Sequence, residues 1–392
     1  MHELGISVYP DLRSAEEIDA YIEQAGRHGF TRLFSSMFNL EGDRETVFNY
    51  FKYMIEKAHE NGIRVSLDVN GEFLDKMGID PKDLSPFKEI GVDILRMDGQ
   101  YGDERDIMLI NNDQDITLEF NASMSPDVLA DLIRRGARTD RILLCHNFYP
   151  EPLTGMKWNK FRDMNKAMKE LAPEVPMAAF VSSNAPETHG VWDAEYGLPT
   201  VERMRNYPID LQARLLLATD NVDDILIGNA FATEEEMEDL VNVVKNLKVE
   251  ALDNPLLKAI ASRVNPDGIK HVKVTPIKDI TETEKKYLSD FGPYIDLGDS
   301  SEWIWRSRNG RFFNKDLPVE ARPVEKEYYE PGDVVIVNNN YPHYAGEAQI
   351  IRQRCKNDGM RNIVGKLAGD ELDMLDLIGD MDLVAFDLVD PE

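Results

Sequence analysis

Eight short apolar runs, from LGISVYP at Leu4 to ILIGNAFA ending at Ala232, recur along the chain with mostly helical sequence between them. The runs in between read TRLFSSMF, RVSLDVN, DILRMDG, ITLEFNAS, RILLCHNF and MAAFVSSN. A strand–helix unit repeated eight times closes a parallel sheet on itself, so the rhythm predicts an α/β fold with a (β/α)8 TIM barrel. Barrels of this kind carry their chemistry where the strands end, and polar residues gather at the ends of these runs.

The intervening helices have legible starts and stops. Ser14 followed by Glu17 reads as a capping box, with Ile18, Tyr21, Ile22 and Ala25 forming one apolar stripe and Gly29 just past the end. Val47, Phe48, Phe51, Met54, Ile55 and Ala58 make a second stripe, closed by Gly62. Ser125-Pro126 opens a third helix, and Thr233 with three glutamates opens the one after the eighth run. EYGLPT is read as opening the helix between the seventh and eighth runs.

A barrel uses about 250 residues, and the chain has 392. Residues 1–250 are therefore assigned to the barrel, 251–269 to a linker and 270–392 to a second domain. That last stretch holds short β-rich runs such as HVKVTPI, SEWIWRSR, GDVVIVNN and LVAFDLV, punctuated by Gly and Pro, which predict a small β-barrel. Only GKLAGDELDMLDLIG suggests a helical interruption there.

The formal net charge of −28 argues against a nucleic-acid or anionic-membrane partner, and obliges an anionic substrate to find local cations. The two cysteines, Cys145 and Cys355, have no metal or redox spacing and fit a reducing compartment. The first strand begins at Leu4, which leaves no room for a signal peptide, and no run approaches the roughly 18 apolar residues of a membrane span. A cytoplasmic protein is expected, with a homodimer left open.

Side-chain parity brings charge into the barrel. Alternation places Ser66, Asp68 and Asn70 inside, then Arg96 and Asp98, then Thr117, Glu119 and Asn121. Ser7 and Tyr9 from the first run and Asn229 from the eighth join them. Burying a charge costs several kcal/mol unless compensated, so Asp68, Arg96, Asp98 and Glu119 at one mouth point to a polar ligand site. The alternative is that Asp98 neutralises Arg96 and Asp68 holds a loop. In HNFYP, His146 and Asn147 alternate, so only one points inward, and Tyr149 is placed to stack on a sugar ring. Glu187 and His189 follow in the loop after the seventh run, and Glu195 begins the EYGLPT stretch beyond it. There is no HExxH, Cys/His cluster, GxSxG or P-loop, and no lysine ends a strand facing inward, so no metal, cofactor or Schiff base is expected.

Taken together, LGISVYP, LEFNAS, CHNFYPEPLTG, EYGLPTVE and DDILIGNAFATEEE resemble the MupG-type 6-phospho-N-acetylmuramidases, a family once known as a domain of unknown function or "outer surface protein". GDVVIVNNNYPHYAGEAQI and KLAGDELDMLDLIGDMDLVAFDLV resemble its second, cyclophilin-like β-barrel domain. Glu151 after HNFYP and Tyr196 within EYGLPT depart from the family pattern. The resemblance implies a glycoside hydrolase that splits a phosphorylated amino-sugar disaccharide, 6-phospho-N-acetylmuramic acid linked to N-acetylglucosamine, during peptidoglycan recycling.

Such chemistry needs a carboxylic acid to protonate the leaving oxygen and a second carboxylate to attack or to activate water. Parity nominates Glu119 as acid/base and Asp98 as its partner, with Asp68 as substitute. Asn229, Gly228 and Ser182 to Asn184 end strands where barrel phosphate sites form. Arg306 and Arg308 of the second domain are candidate anion clamps. Asn121, Tyr149 and Asn338 to Asn340 are candidates for sugar hydroxyls or the acetamido group. Two rival readings stand beside this one. A phosphosugar isomerase or epimerase would use Asp68 and Glu119 for proton transfer; a carbohydrate-binding protein would keep the aromatics and show no turnover to lose.

Overall fold

In a computed structural model of the protein, residues 2–10, 13–37, 43–191, 196–248, 258–259 and 268–390 are described. The chain divides into two compact units, Met1–Asn242 and Val243–Glu392. The expected linker falls almost wholly outside the described residues, as does Glu195.

The first unit is the eight-stranded parallel barrel. Its strands are β1 (Leu4–Ser7), β2 (Arg32–Ser36), β3 (Arg64–Asn70), β4 (Ile94–Gly99), β5 (Thr117–Asn121), β6 (Ile142–Cys145), β7 (Met177–Val181) and β8 (Asp224–Ile227), closed in sequence order. The caps form as the sequence implies. Ser14 and Glu17 make a reciprocal capping box on the helix Ala15–Arg27, and Ser125 caps Pro126–Arg134. Both apolar stripes face inward and are buried. EYGLPT differs from expectation: its described part is irregular, and the helix begins only at Ile209, because Pro199 and Pro208 interrupt the stretch before it.

Cross-strand register fixes which residues share the lumen. One paired row runs Ser36, Asp68, Arg96, Glu119, Leu143 through β2 to β6. Between β3 and β4 the register slips, so that Asn70 pairs with Gly99 and Asp98 becomes the extra residue. Such a bulge re-aims a side chain at the end of a strand.

The second unit holds a mixed seven-stranded sheet of β9 (Ile269–Pro276), β10 (Tyr294–Ile295), β11 (Ile304–Ser307), β13 (Asp333–Val337), β14 (Ala348–Ile351), β16 (Arg361–Leu367) and β17 (Leu383–Leu388). The order is β10-β17-β9-β16-β13-β14-β11, with β9 and β17 parallel and the other pairs antiparallel. The edge strands β10 and β11 approach each other through the Ile295 N–H, which donates to Ser307 Oγ at 3.2 Å. A separate ribbon pairs β12 (Tyr328–Tyr329) with β15 (Cys355–Lys356). GKLAGDELDMLDLIG does contain a helical turn, the 3-10 segment Gly369–Asp376; a second helix, Glu282–Ser289, carries a capping box from Thr281 to Glu284 that the sequence reading passed over.

Candidate active site

At the C-terminal mouth, β3, β4 and β6 bring their polar side chains onto one guanidinium. Arg96 Nη1 donates to Asp68 Oδ1 at 2.5 Å and lies 3.4 Å from Asp98 Oδ1, while Nη2 donates to Asn147 Oδ1. Arg96 Nε sits 3.7 Å from Glu119 Oε1. Arg96 is buried, so its charge is compensated by these carboxylates rather than by water. Burial pushes the Asp68 carboxyl up to about 6, the Asp98 charge adds to the rise, and Arg96 opposes it. Asn121 stands beside the rim: its Oδ1 accepts from the Ser123 N–H and its Nδ2 is 3.5 Å from the Asp98 carbonyl.

The three carboxylates differ sharply in depth. Side-chain exposure is 44% for Asp98, 10% for Asp68 and 0% for Glu119. Glu119 points into the barrel as parity requires, but it lies on the floor of the cluster, paired with Arg32 of β2 and 3.4 Å from Ser66 Oγ. Arg32 is itself buried. This partner was missed because TRLFSSMF was read only as an apolar run; the parity applied to its neighbours would have turned Arg32, Phe34 and Ser36 inward.

The lumen next to this cluster is aromatic. Phe34 of β2, Phe180 of β7 and Phe148 pack edge to face with centroids 5.1 to 5.8 Å apart, and the Arg96 guanidinium lies over the Phe34 ring at 5.9 Å. Phe148 remains partly exposed above this group. It presents an apolar face beside the acidic one, a place that sequence reasoning had given to Tyr149. Tyr149 is half-buried, and its N–H donates to the Pro199 carbonyl.

Several expected ligand contacts are used by the fold itself. Tyr9 is buried, its hydroxyl donates to the Gly228 carbonyl at 2.6 Å, and burial pushes its pKa up. Asn229 is buried and turned toward the β7 loop: its Oδ1 accepts from the Ser183 N–H and its Nδ2 donates to the Ser183 carbonyl, both at 2.9 Å. The lumen-facing positions of β8 are those in step with Gly5, namely Leu226 and its parity mates, which leaves Asn229 on the other face. His146 resolves the HNFYP ambiguity by facing outward. Its Nε2 is 2.7 Å from Asn165 Oδ1, its Nδ1 is 3.2 Å from Ser123 Oγ, and its ring packs on Phe161. Arg306 and Arg308 belong to the second unit, where Arg306 pairs with Glu347 and both pair with Asp299. Asn338 there is buried and bonded to Asn362.

His146 yields a stability prediction. Burial lowers its pKa from 6.5 to about 4, with the Asn165 contact opposing and Arg96 reinforcing the shift. The unfolded chain therefore binds the proton first, and stability is lost as pH falls from about 6.5 toward 4, at up to about 1.4 kcal/mol per pH unit. Asp68 and Asp224, both raised to about 6, act in the opposite sense: protonation on folding adds stability as pH falls through 6 toward 3.8. Urea titrations of wild type and His146→Gln across this range separate the terms. The variant should lose stability less steeply on acidification; parallel curves would reject the assignment.

A cavity of about 830 Å³ opens beyond the ends of β7 and β8, lined by Arg13, Ser183, Asn184, His189, Gly197 and Arg205 among others. Arg205 is fixed there by Glu202 and by the Tyr196 and Gly197 carbonyls. Among the described residues no helix is long and apolar enough to cross a membrane, and no group of three or more His, Cys, Asp and Glu side chains is placed to hold a metal ion.

A closed barrel that gathers carboxylates on an arginine at its C-terminal mouth places these groups where barrels of this kind bind and transform their ligands. The chain belongs to the 6-phospho-N-acetylmuramidase family: the family's N-terminal domain matches residues 4–242 and its C-terminal domain residues 271–387. Among solved structures, an uncharacterized B. cereus protein is 33% identical, with 99% of this chain and 100% of that one covered and a TM-score of 0.82. A conserved Enterococcus faecalis protein of unknown function shares the fold at 24% identity and a TM-score of 0.64, over 99% of this chain and 96% of the other. No curated protein matches the chain.

Proposed function

We propose that the protein is a cytoplasmic glycoside hydrolase that releases 6-phospho-N-acetylmuramic acid from N-acetylglucosamine in the recycling of peptidoglycan fragments. Family membership supports the substrate class. The observation that carries the reading is the pair Asp68 and Asp98 sharing Arg96 Nη1 at the barrel mouth. Asp68 is assigned as the general acid. Its raised pKa keeps a proton available near neutrality, and its slight exposure leaves it reachable. Asp98, on the rim, is the second carboxylate. Glu119, the first choice from parity, is reassigned to the floor, because a group sealed from solvent has no path to a leaving oxygen.

Phe148 supports stacking of a sugar ring, and Asn121 and Asn147 supply amides beside it. The cavity beyond β7 and β8 lies across the mouth from β3 and β4, where barrels commonly hold phosphate, and it is lined by two arginines. The second domain is assigned as a cyclophilin-like barrel, and Arg306 and Arg308 stay within its own ion pairs.

Incubation with the phosphorylated and unphosphorylated muramyl disaccharides, read by mass spectrometry, tests this directly. Cleavage of the phosphorylated compound alone is expected; cleavage of neither refutes the reading. The pH profile adds a second check. With Asp68 as the acid, kcat/KM falls about tenfold per pH unit above about 6 as its proton is lost. A profile flat to pH 8 would remove Asp68 from that role.

A further inference from the structure

We propose that the enzyme works by double displacement with retention at the anomeric carbon, and that it therefore also transfers its sugar to alcohols. The inference rests on the reading of Asp68 and Asp98 as the catalytic pair, and it starts from their spacing. Both carboxylates reach a single nitrogen, Arg96 Nη1, at 2.5 and 3.4 Å. Their nearest oxygens are therefore no more than about 6 Å apart, a bound that admits the roughly 5–5.5 Å of retaining pairs and lies below the roughly 6.5–9.5 Å at which inverting pairs admit a water.

The setting agrees with that spacing. Arg96 is buried and held from below by Glu119 and from the side by Asn147, so neither carboxylate can swing away without abandoning a buried cation. The bulge at Asp98 turns its carboxylate to the same guanidinium that Asp68 occupies. Beside the pair the Arg96 guanidinium lies over the Phe34 ring, which packs on Phe180 and Phe148, so the cation is held from this side as well.

In the first step an Asp98 oxygen forms a bond to C1 as the C1–O glycosidic bond breaks, and the leaving oxygen takes the proton of Asp68. In the second step water gives a proton back to Asp68, its oxygen bonds to C1, and the C1–Asp98 ester bond breaks. Two inversions restore the starting configuration. An alcohol replaces water in the second step with the same balance of atoms, giving a glycoside in place of the free sugar.

The experiment is cleavage of the phosphorylated disaccharide by wild-type enzyme in aqueous methanol, with products read by mass spectrometry and the anomeric proton by NMR at early times. A methyl glycoside of retained configuration is expected alongside hydrolysis. Cleavage with inverted product and no methyl glycoside overturns the inference while leaving the hydrolase reading intact; no cleavage at all overturns the hydrolase reading instead. Asp98→Ala, checked for folding by its thermal melt, identifies the nucleophile. It should lose turnover at least about 10²-fold, and added azide should yield a glycosyl azide of inverted configuration. A methyl glycoside from wild type with no azide product from the variant assigns the attack to another group, such as the substrate's own acetamido oxygen, and overturns the role of Asp98.

Discussion

Asp68→Asn should lower kcat on the phosphorylated disaccharide by about 10²–10⁴-fold, the span expected for loss of a positioned general acid. The amide keeps the shape of the carboxyl and can still accept from Arg96 Nη1, so the fold and KM should change little. The loss should shrink for substrates with a good leaving group, such as a nitrophenol, because departure then needs no proton. That contrast separates an acid from a group that merely holds Arg96 in place. If a nitrophenyl substrate loses as much rate as the disaccharide, Asp68 is a positioning residue and the acid lies elsewhere.

Arg32→Met should destabilise the protein by about 3–5 kcal/mol, since it strands the Glu119 charge on the barrel floor without its closest partner. Both members of this pair are buried, so water cannot take over the lost role. Converting the pair together, as Arg32→Met with Glu119→Gln, removes both charges and should recover a large part of the loss. Urea unfolding of the two single variants and the double variant provides the measurement. A single Arg32→Met variant as stable as wild type would mean that Arg96 alone carries Glu119.

The contrast between Asp68 and Glu119 marks what sequence can reveal about such a site. Periodicity exposed all eight strands, because mostly helical sequence separates them, and the caps and stripes of helices such as Ala15–Arg27 and Arg44–Glu60 are local features. Parity then put Asp68, Arg96 and Glu119 in the lumen, since a strand has only two faces. Height was not legible. Strands of such a barrel tilt by about 36°, so residues paired across adjacent strands sit at different levels. Arg32, at the start of β2, meets Glu119, in the middle of β5, although they occupy different paired rows. Register was equally hidden: counted from Leu226, the partner of Gly5, Asn229 falls on the outward face of β8. His146 and Asn147 were separable only by the helix outside, because Asn165 is what draws the imidazole outward.

One guanidinium thus serves Asp68, Asp98, Asn147 and Glu119 at once. These positions cannot be altered as independent parts: replacing one changes the cost of replacing each of the others, and paired substitutions should depart from the sum of single effects by about 0.5–3 kcal/mol. For anyone redesigning this mouth toward a different sugar, the practical unit of change is the whole constellation around Arg96, exchanged together or left alone.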